Sequence, residues 1–264
     1  MTVPLVFAHR GASYDLPEHT LAAYLRALDE GADGLECDVR LTRDGHLVCV
    51  HDRRLDRTSN GRGLVSARTL AELEALDFGS WHRAATLAED DAPLDESHTR
   101  LLTLERLLDA VLGAGRPVRL LIETKHPSRY RGEVERRLVE MLRRYGLAEP
   151  RPDHPVQVTV MSFSPLAVRR IRELAPALPT VLLLEVLPRL LLPLGRLPFG
   201  TRIAGPGVDL VRARPRLVPA LRAAGNAVYV WTVNEPEDLE LVLEAGVDGV
   251  ITDRPAHALA RLGR

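Results

Sequence analysis

The sequence predicts a closed barrel of eight parallel strands alternating with helices, a (β/α)₈ fold with a small insertion after its first hairpin. Three observations predict it. Short apolar runs alternate with stretches of helical periodicity along most of the chain. Eight such runs can be counted once one hairpin arm is set aside, and eight is the number a closed parallel barrel needs. The chain has 264 residues, close to the roughly 250 of one barrel domain. A single domain over residues 1–264, interrupted at about 52–102, is therefore expected.

The elements follow in order. Residues 3–8 form the first apolar run, which ends in His9-Arg10-Gly11. Pro17-Glu18-His19-Thr20 leads into Leu21, Ala22, Tyr24, Leu25 and Leu28 at helical spacing, and Gly31 stops that helix. Residues 34–41 read as a strand carrying Glu36 and Asp38 at alternate positions. Thr42-Arg-Asp-Gly45 is a turn, and residues 46–51 form a second strand ending at Asp52. The connection is too short for a crossover, so the two strands make an antiparallel hairpin. With Leu41 opposite His46, Glu36 falls opposite His51 and Asp38 opposite Cys49. Glu36, Asp38 and His51 then share one face, while Cys37 and Cys49 point to opposite faces.

After His51 the rhythm breaks into a Gly-rich turn at 60–63, a short helix near 70–76 and an acidic loop at 89–96. Alternation then resumes. A helix over 103–112 precedes a strand at 118–122 ending in Glu123-Thr-Lys125, and a helix over 132–145 follows. A strand at 156–161 ends in Ser162-Phe163, ahead of a helix over 165–174. A strand at 181–184 enters an irregular apolar connection. A strand is expected at 208–211 and a helix at 217–224. A strand at 227–231 ends in Thr-Val-Asn234, Pro236 opens a helix to 244, and a strand at 247–251 ends in Thr252-Asp253.

Composition excludes several classes. The net charge of −1 gives no long-range attraction to nucleic acid or anionic membrane. Two cysteines make no disulfide framework. The most apolar stretch, 181–197, is interrupted by Glu185, Pro188, Arg189, Pro193 and Arg196, so no stable membrane anchor is expected. The opening residues lack a basic segment followed by an apolar core and a cleavage site, so a cytoplasmic location is expected. Lys125 is the only lysine, every other basic side chain of the 35 being arginine, which suggests a need for a compact ammonium there.

In parallel barrels chemistry lies at the C-terminal strand ends. Here those ends carry His9, Arg10, Glu36, Asp38, Glu123, Lys125, Trp231, Asn234 and Asp253, and the hairpin adds His51. Glu36, Asp38 and Glu123 form an all-oxygen set suited to one hard divalent cation, Mg²⁺ or Ca²⁺, rather than zinc. His9 and His51 supply an acid and a base that work near neutral pH. Arg10 and Lys125 add positive charge for an anionic transition state, or balance the acids. Phe163 and Trp231 offer an apolar wall. Asp253 reads as a helix cap or turn residue, and Asn234 as a cap for the helix opened by Pro236. The remaining histidines, 46, 82, 98, 126, 154 and 257, are expected in solvent. Cys37 and Cys49 read as buried small residues.

The ordered series Ala8-His-Arg-Gly11, Pro17-Glu-His-Thr20, Glu36-Cys-Asp-Val39, Thr42-Arg-Asp-Gly45, His51-Asp52, Ile122-Glu-Thr-Lys125, Met161-Ser-Phe163, Trp231-Thr-Val-Asn234 and Gly246-Val-Asp-Gly-Val-Ile-Thr-Asp253 resembles the glycerophosphodiester phosphodiesterase family from end to end. The resemblance implies a TIM barrel with an insertion after the His-Asp motif. It implies that Glu36, Asp38 and Glu123 bind the cation, that His9 and His51 are the acid–base pair, that Arg10 and Lys125 contact phosphate, and that Glu18 is an acid one layer behind the metal site. The family usually has Asn where this chain has His19, whose neutral ring offers one donor and one acceptor. The implied reaction is hydrolysis of a glycerophosphodiester to sn-glycerol 3-phosphate and an alcohol such as choline or ethanolamine. The nucleophile is left open between water and the substrate's own 2-hydroxyl. Two alternatives remain: lysophospholipase D-type action on lysolipids, favoured only by the apolar connection at 187–199, and a silent barrel that binds phosphorylated metabolites. The sequence is silent on oligomeric state.

Overall fold

The computed structural model describes residues 3–82, 95–186 and 196–264. Eight parallel strands close into a barrel in the order β1 (Leu5–His9), β2 (Gly34–Leu41), β4 (Val118–Thr124), β5 (Val156–Ser162), β6 (Thr180–Leu184), β7 (Ile203–Pro206), β8 (Ala227–Val230) and β9 (Gly249–Thr252). β1 pairs with both β2 and β9, which completes the ring. The remaining strand, β3 (Leu47–Cys49), pairs antiparallel with the upper end of β2, and its other edge makes a single antiparallel bridge from Val48 to Thr103. Between the strands run α1 (Leu21–Asp29), α2 (Leu70–Glu74), α3 (Glu96–Thr99), α4 (Leu104–Leu112), α5 (Glu133–Arg144), α6 (Pro165–Leu174), α7 (Val208–Ala213), α8 (Leu217–Ala223), α9 (Pro236–Glu244) and α10 (Pro255–Arg261). No helix among the described residues is long and apolar enough to cross a membrane.

The helices begin where the sequence supplies caps. The hydroxyls of Thr20, Thr103 and Ser164 each accept a backbone N–H three residues on, opening α1, α4 and α6. Proline occupies the first turn of α6, α9 and α10, where its missing N–H costs nothing. Each helix buries one stripe. On α5 it consists of Val134, Leu138, Val139 and Leu142, while the arginines face water. These stripes meet the outward faces of the strands in two large apolar clusters, one under α1, α4, α5 and α6 and the other under α7 to α10. Each fully buried leucine there contributes about 1.5–3 kcal/mol relative to exposure.

The barrel interior is a separate plug of Phe7, Leu121, Met161, Val181, Leu183, Tyr229 and Ile251. The Phe7 and Tyr229 rings stand 5.2 Å apart across it. The space is so tight that a Cβ on Gly34 would lie 2.5 Å from the Arg119 carbonyl oxygen and 2.7 Å from the Phe7 ring. Side chains on a strand alternate faces. Two residues beyond each plug residue, the same inward face emerges at the C-terminal rim. Phe7 thus leads to His9, Leu121 to Glu123, Met161 to Phe163, Leu183 to Glu185, Tyr229 to Trp231 and Ile251 to Asp253. On β2 the inward series is Gly34, Glu36, Asp38. The pleat therefore aims a set of polar residues at one mouth.

Two strand expectations are corrected. The strand expected at 208–211 is helix α7, and the strand of that unit is Ile203–Pro206. Val-Asp-Leu-Val has the apolar, β-branched look of a strand, whereas Ile-Ala-Gly-Pro looks like a turn. The plug explains the reversal. A Cβ on Gly205 would sit 2.7 Å from Leu183 and 2.9 Å from Val181, so this strand must be glycine there to fit. The hairpin register is also shifted by one: Leu41 pairs with Leu47, Arg40 with Val48 and Val39 with Cys49. Cys37 and Cys49 therefore share a face and pack in the same buried cluster, both as free thiols. His51 reaches the inner mouth by a different route. After Cys49 the chain leaves the ladder, with the Val50 amide donating to the Asp38 carbonyl at 3.1 Å.

Beyond His51, a satellite cluster of Val48, Val50, Leu55, Val65, Leu73, Phe78 and Leu101 holds the described part of 52–102 against the barrel. Most of the acidic stretch at 89–96 lies outside the described residues, as do residues 187–195 of the apolar connection. Glu96 itself begins α3. Of the histidines expected in solvent, His46 and His257 are exposed, but His82, His98, His126 and His154 are half-buried. His126 is held by its Nε2, 2.7 Å from the fully buried Glu135.

Candidate active site

The polar mouth encloses a cavity of about 260 Å³ lined by His9, Arg10, Glu36, His51, Glu123 and Lys125 on its polar side. Phe163, Trp231, Met161 and Leu183 line the apolar side, with Glu185 at the edge. The Trp231 ring meets Phe163 edge-on at 5.2 Å, and its indole N–H donates to the Gly205 carbonyl at 2.7 Å. The expected aromatic wall is therefore present and is held in place by the same short strand that the sequence disguised.

Glu36, Asp38 and Glu123 each offer an oxygen within 4.8 Å of the others, and all three are buried. Asp38 is the hub. It accepts a hydrogen bond from His19 Nε2 at 2.9 Å, lies 3.3 Å from Lys125 Nζ and lies 3.1 Å from Arg10 Nε. Lys125 also reaches Glu123 at 2.9 Å. Burial would raise the Asp38 carboxyl, but Lys125, Arg10 and His19 hold it well below its usual range. Burial pushes the Glu36 carboxyl well above its usual value, and the charge of Asp38 adds to the shift. Burial and Asp38 likewise push Glu123 up to about 8. Three buried oxygen donors at this spacing, two of them resisting ionisation, fit a hard divalent cation. No histidine or cysteine belongs to the set, which disfavours zinc.

A prediction follows for the metal-free protein. Because the native state holds the Glu123 proton up to about pH 8 while an unfolded Glu releases it near 4.5, stability falls as pH rises through that interval. His51, lowered to about 4, works oppositely, but only below its unfolded value near 6.5. Between pH 6.5 and 8 the EDTA-treated protein is therefore expected to lose melting temperature. Added Mg²⁺ or Ca²⁺ should restore it, more at pH 8 than at pH 6.5, because binding releases protons. At a hundredfold excess over Kd the gain should be on the order of 5 °C. Differential scanning fluorimetry reads this directly, and a metal effect independent of pH would contradict it.

His19, the departure from the usual Asn, is almost fully buried behind this cluster. Burial lowers its proton affinity, against the opposing pull of Asp38 and Glu18. The acceptor-only carboxylate of Asp38 receives the Nε2 proton, while Nδ1 lies 2.8 Å from the Tyr24 hydroxyl, whose own proton goes to the Glu36 carbonyl at 3.1 Å. The ring thus fixes a metal-competent carboxylate, as an amide side chain would from a shorter reach.

Each rim histidine has a carboxylate at Nδ1. His9 donates to Asp253 Oδ1 at 2.6 Å, so its Nε2 faces inward, 4.0 Å from Glu36. Asp253 is fixed in turn by Asn234 Nδ2 at 2.6 Å and Ser13 Oγ at 2.9 Å. Burial would raise the Asp253 carboxyl, but these bonds hold it at about 2. Neither Asn234 nor Asp253 caps a helix. Asn234 accepts from the Asp253 amide at 2.9 Å, and Glu235 and Arg254 occupy the cap positions. His51 donates through Nδ1 to Asp52 at 2.7 Å. Burial lowers the His51 imidazole to about 4, with Arg10 and Lys125 adding to the effect and Asp38 and Asp52 opposing it.

Arg57, absent from the sequence-based expectations, ties the two halves together. It donates to both Glu18 oxygens at 2.7 and 2.8 Å and to Asp52 at 2.8 Å. Glu18 also accepts from Arg10 Nη1 at 3.0 Å, and Arg10 in turn lies 3.1 Å from Asp38. Sequence reasoning missed Asp52, Arg57, Ser13 and the part played by Asp253. Asp52 was legible as the neighbour of His51, and Asp253 as the inward position after Ile251. Arg57 and Ser13 had no signal.

Fold and site together define a (β/α)₈ barrel with a metal-competent carboxylate cluster beside two carboxylate-oriented imidazoles. The chain belongs to the glycerophosphoryl diester phosphodiesterase family, whose model matches residues 9–257. It is 51% identical over 261 residues to the probable glycerophosphodiester phosphodiesterase 1 of Mycobacterium tuberculosis, covering 98% of this chain and 92% of the relative. It is 36% identical over 252 residues to the glycerophosphodiester phosphodiesterase of Bacillus subtilis, covering 95% and 84%. Among solved structures it is similar to an Oleispira antarctica phosphodiesterase in complex with the product sn-glycerol-3-phosphate, with a TM-score of 0.80 and 25% identity, covering 99% of this chain and 98% of that one.

Proposed function

We propose that this protein hydrolyses glycerophosphodiesters to sn-glycerol 3-phosphate and an alcohol, using one divalent cation and His general acid–base catalysis. The observation that carries the reading is the cavity lined by Glu36, Glu123, His9 and His51, with Asp38 clustered against the two glutamates. Glu36, Asp38 and Glu123 would hold Mg²⁺ or Ca²⁺, which when bound supplies Lewis acidity and charge neutralisation to the phosphodiester. Arg10 and Lys125, already beside Asp38, contact the phosphoryl oxygens and stabilise their extra charge in the transition state. Asp253 and Asp52 keep the N–H of each imidazole on Nδ1, so both Nε2 atoms are available to the cavity. One ring takes the proton of the attacking hydroxyl as the new P–O bond forms. The other ring, carrying a second proton on Nε2 whose charge is balanced by the carboxylate at its Nδ1, gives that proton to the leaving alcohol oxygen as the old bond breaks. Phe163 and Trp231 cover the apolar side and limit water. Glu18 holds Arg10 toward Asp38. Residues 1–264 act as one barrel domain, with a soluble diester as partner and a cytoplasmic setting.

The test is release of glycerol 3-phosphate from glycerophosphocholine with Mg²⁺, with Ca²⁺ and with EDTA, alongside lysophosphatidylcholine. Turnover of the soluble diester that EDTA abolishes is the expected result. Turnover of the lysolipid alone would move the reading to a lipid substrate, and binding without turnover would make the barrel a sensor.

A further inference from the structure

A shallow cleft of about 20 Å³, with a rim where an anion can rest rather than an interior to enclose it, lies beside the reaction centre and shares Lys125 with it. Its lining includes Arg40, Arg53, Arg129, Ser66 and Ser128 in addition to Lys125, and contains no carboxylate. The active-site cavity, by contrast, is lined by Glu36, Glu123 and Glu185. The cationic residues come from the segments that carry the catalytic groups. Arg40 is the next inward-parity position on β2 after Asp38, roughly 7 Å along the strand. Arg53 follows His51-Asp52, and Arg129 lies four residues past Lys125 in the loop before α5.

Arg40 is anchored, with Nε and Nη2 both donating to the His51 carbonyl at 2.9 and 2.6 Å. Among the described residues, neither Arg53 nor Arg129 pairs with a carboxylate, although Arg10, Arg54 and Arg57 close by all do. The Arg129 guanidinium rests against the Tyr130 ring at 5.8 Å, and the Tyr130 hydroxyl donates to the Ser66 carbonyl at 2.8 Å, tying the two walls of the cleft together. Lys125 is balanced by Asp38 and Glu123, and Arg40 feels those acids and Asp52, but the guanidinia of Arg53 and Arg129 have no paired carboxylate among the described residues, and an anion seated beside them gains charge-assisted contacts.

We propose that Arg40, Arg53 and Arg129 form a subsite for a second phosphate carried by the alcohol half of the substrate. This rests on the phosphodiesterase reading and narrows its substrate class to diesters whose leaving alcohol is itself phosphorylated. Lys125 lines both cavities, so a diester with its scissile phosphate at the carboxylate cluster and its alcohol half directed past Lys125 carries its second phosphate to the arginines.

The test compares glycerophosphoglycerol with the same molecule bearing a terminal phosphate on its second glycerol, following loss of the diester signal by ³¹P NMR with the metal-loaded enzyme. The wild type is expected to favour the phosphorylated diester in kcat/KM, and the R53Q/R129Q double variant to lose roughly tenfold of that preference, as expected for losing a charge-assisted contact. The same variant should leave glycerophosphoglycerol and glycerophosphocholine unaffected. The preference should also shrink with added salt. An unchanged preference in the double variant overturns the subsite. Titration calorimetry of glycerol 1,3-bisphosphate against glycerol 3-phosphate separates the two readings. If the wild type turns over no diester yet binds the bisphosphate about tenfold tighter, and the double variant does not, the subsite stands and the phosphodiesterase reading falls. If the bisphosphate binds no tighter than the monophosphate, the subsite falls whatever the turnover.

Discussion

Replacing His9 or His51 by alanine is expected to lower kcat by roughly 10²–10⁴-fold with the fold intact. Both rings are half-buried at the rim and carry no core packing, so the loss should appear in turnover rather than in the melting temperature. The more discriminating change is Asp253→Asn. In the native protein Asp253 only accepts, so the His9 proton must sit on Nδ1 and the lone pair of Nε2 faces the cavity. Asn234 already donates to Oδ2 of Asp253, and Ser13 to Oδ1. An Asn at 253 brings its own amide donor into this network and favours the opposite ring tautomer. D253N should therefore approach H9A in kcat while preserving shape and volume. Steady-state kinetics with saturating metal, read against thermal melts, checks this. Wild-type kcat in H9A would remove the imidazole from the chemistry, and wild-type kcat in D253N would reduce Asp253 to a structural partner.

The second large effect is expected at Asp38. Asp38→Ala removes a metal-competent oxygen and the shared counter-ion of Arg10 and Lys125. It also leaves the buried His19 N–H without an acceptor. Breaking a buried charge network from one side costs about 3–5 kcal/mol, because the remaining charges stay buried and uncompensated. D38A should therefore melt well below wild type in EDTA and lose more than about 10³-fold in activity, combining a lost ligand with misplaced cations. Asp38→Asn keeps an acceptor for His19 and should recover much of the stability while leaving activity low. That split separates folding from chemistry. Calorimetric titration with Mg²⁺ should show weakened binding in both variants, and unaltered metal affinity in D38N would remove Asp38 from the ligand set.

How far the sequence reaches can be traced through particular residues. The eight-strand count and most helix positions were legible because they are local: period-two and period-3.6 apolar patterns and the proline that opens the helix at 236 report their own neighbourhoods, whereas the caps expected at Asn234 and Asp253 did not form. So was the convergence of His9, Glu36, Asp38, Glu123 and Lys125, because the pleat forces residues two apart to one face and the barrel brings all strand ends to one mouth. The ordered motifs were specific enough to fix the family before any coordinates.

The errors and omissions share another origin. The hairpin register was misplaced by one residue because Leu41 and its partner are separated only by a turn, and either pairing satisfies the local pattern; the packing of Cys37 and Cys49 against the same core decides between them. Ile203–Pro206 was passed over in favour of 208–211 because the reason for its glycine lies on the neighbouring strand, in Leu183 and Val181, more than twenty residues away in the chain. His9 meets Asp253 across a sequence separation of 244 residues, and Arg57 meets Glu18 across 39. The sequence by itself therefore determined which elements form, which faces they present and which residues bring chemistry to the rim. Only the tertiary structure decided the partners of those residues, because hydrogen bonds and charge pairs form between atoms brought close by barrel closure, and that proximity leaves no periodic trace along the chain.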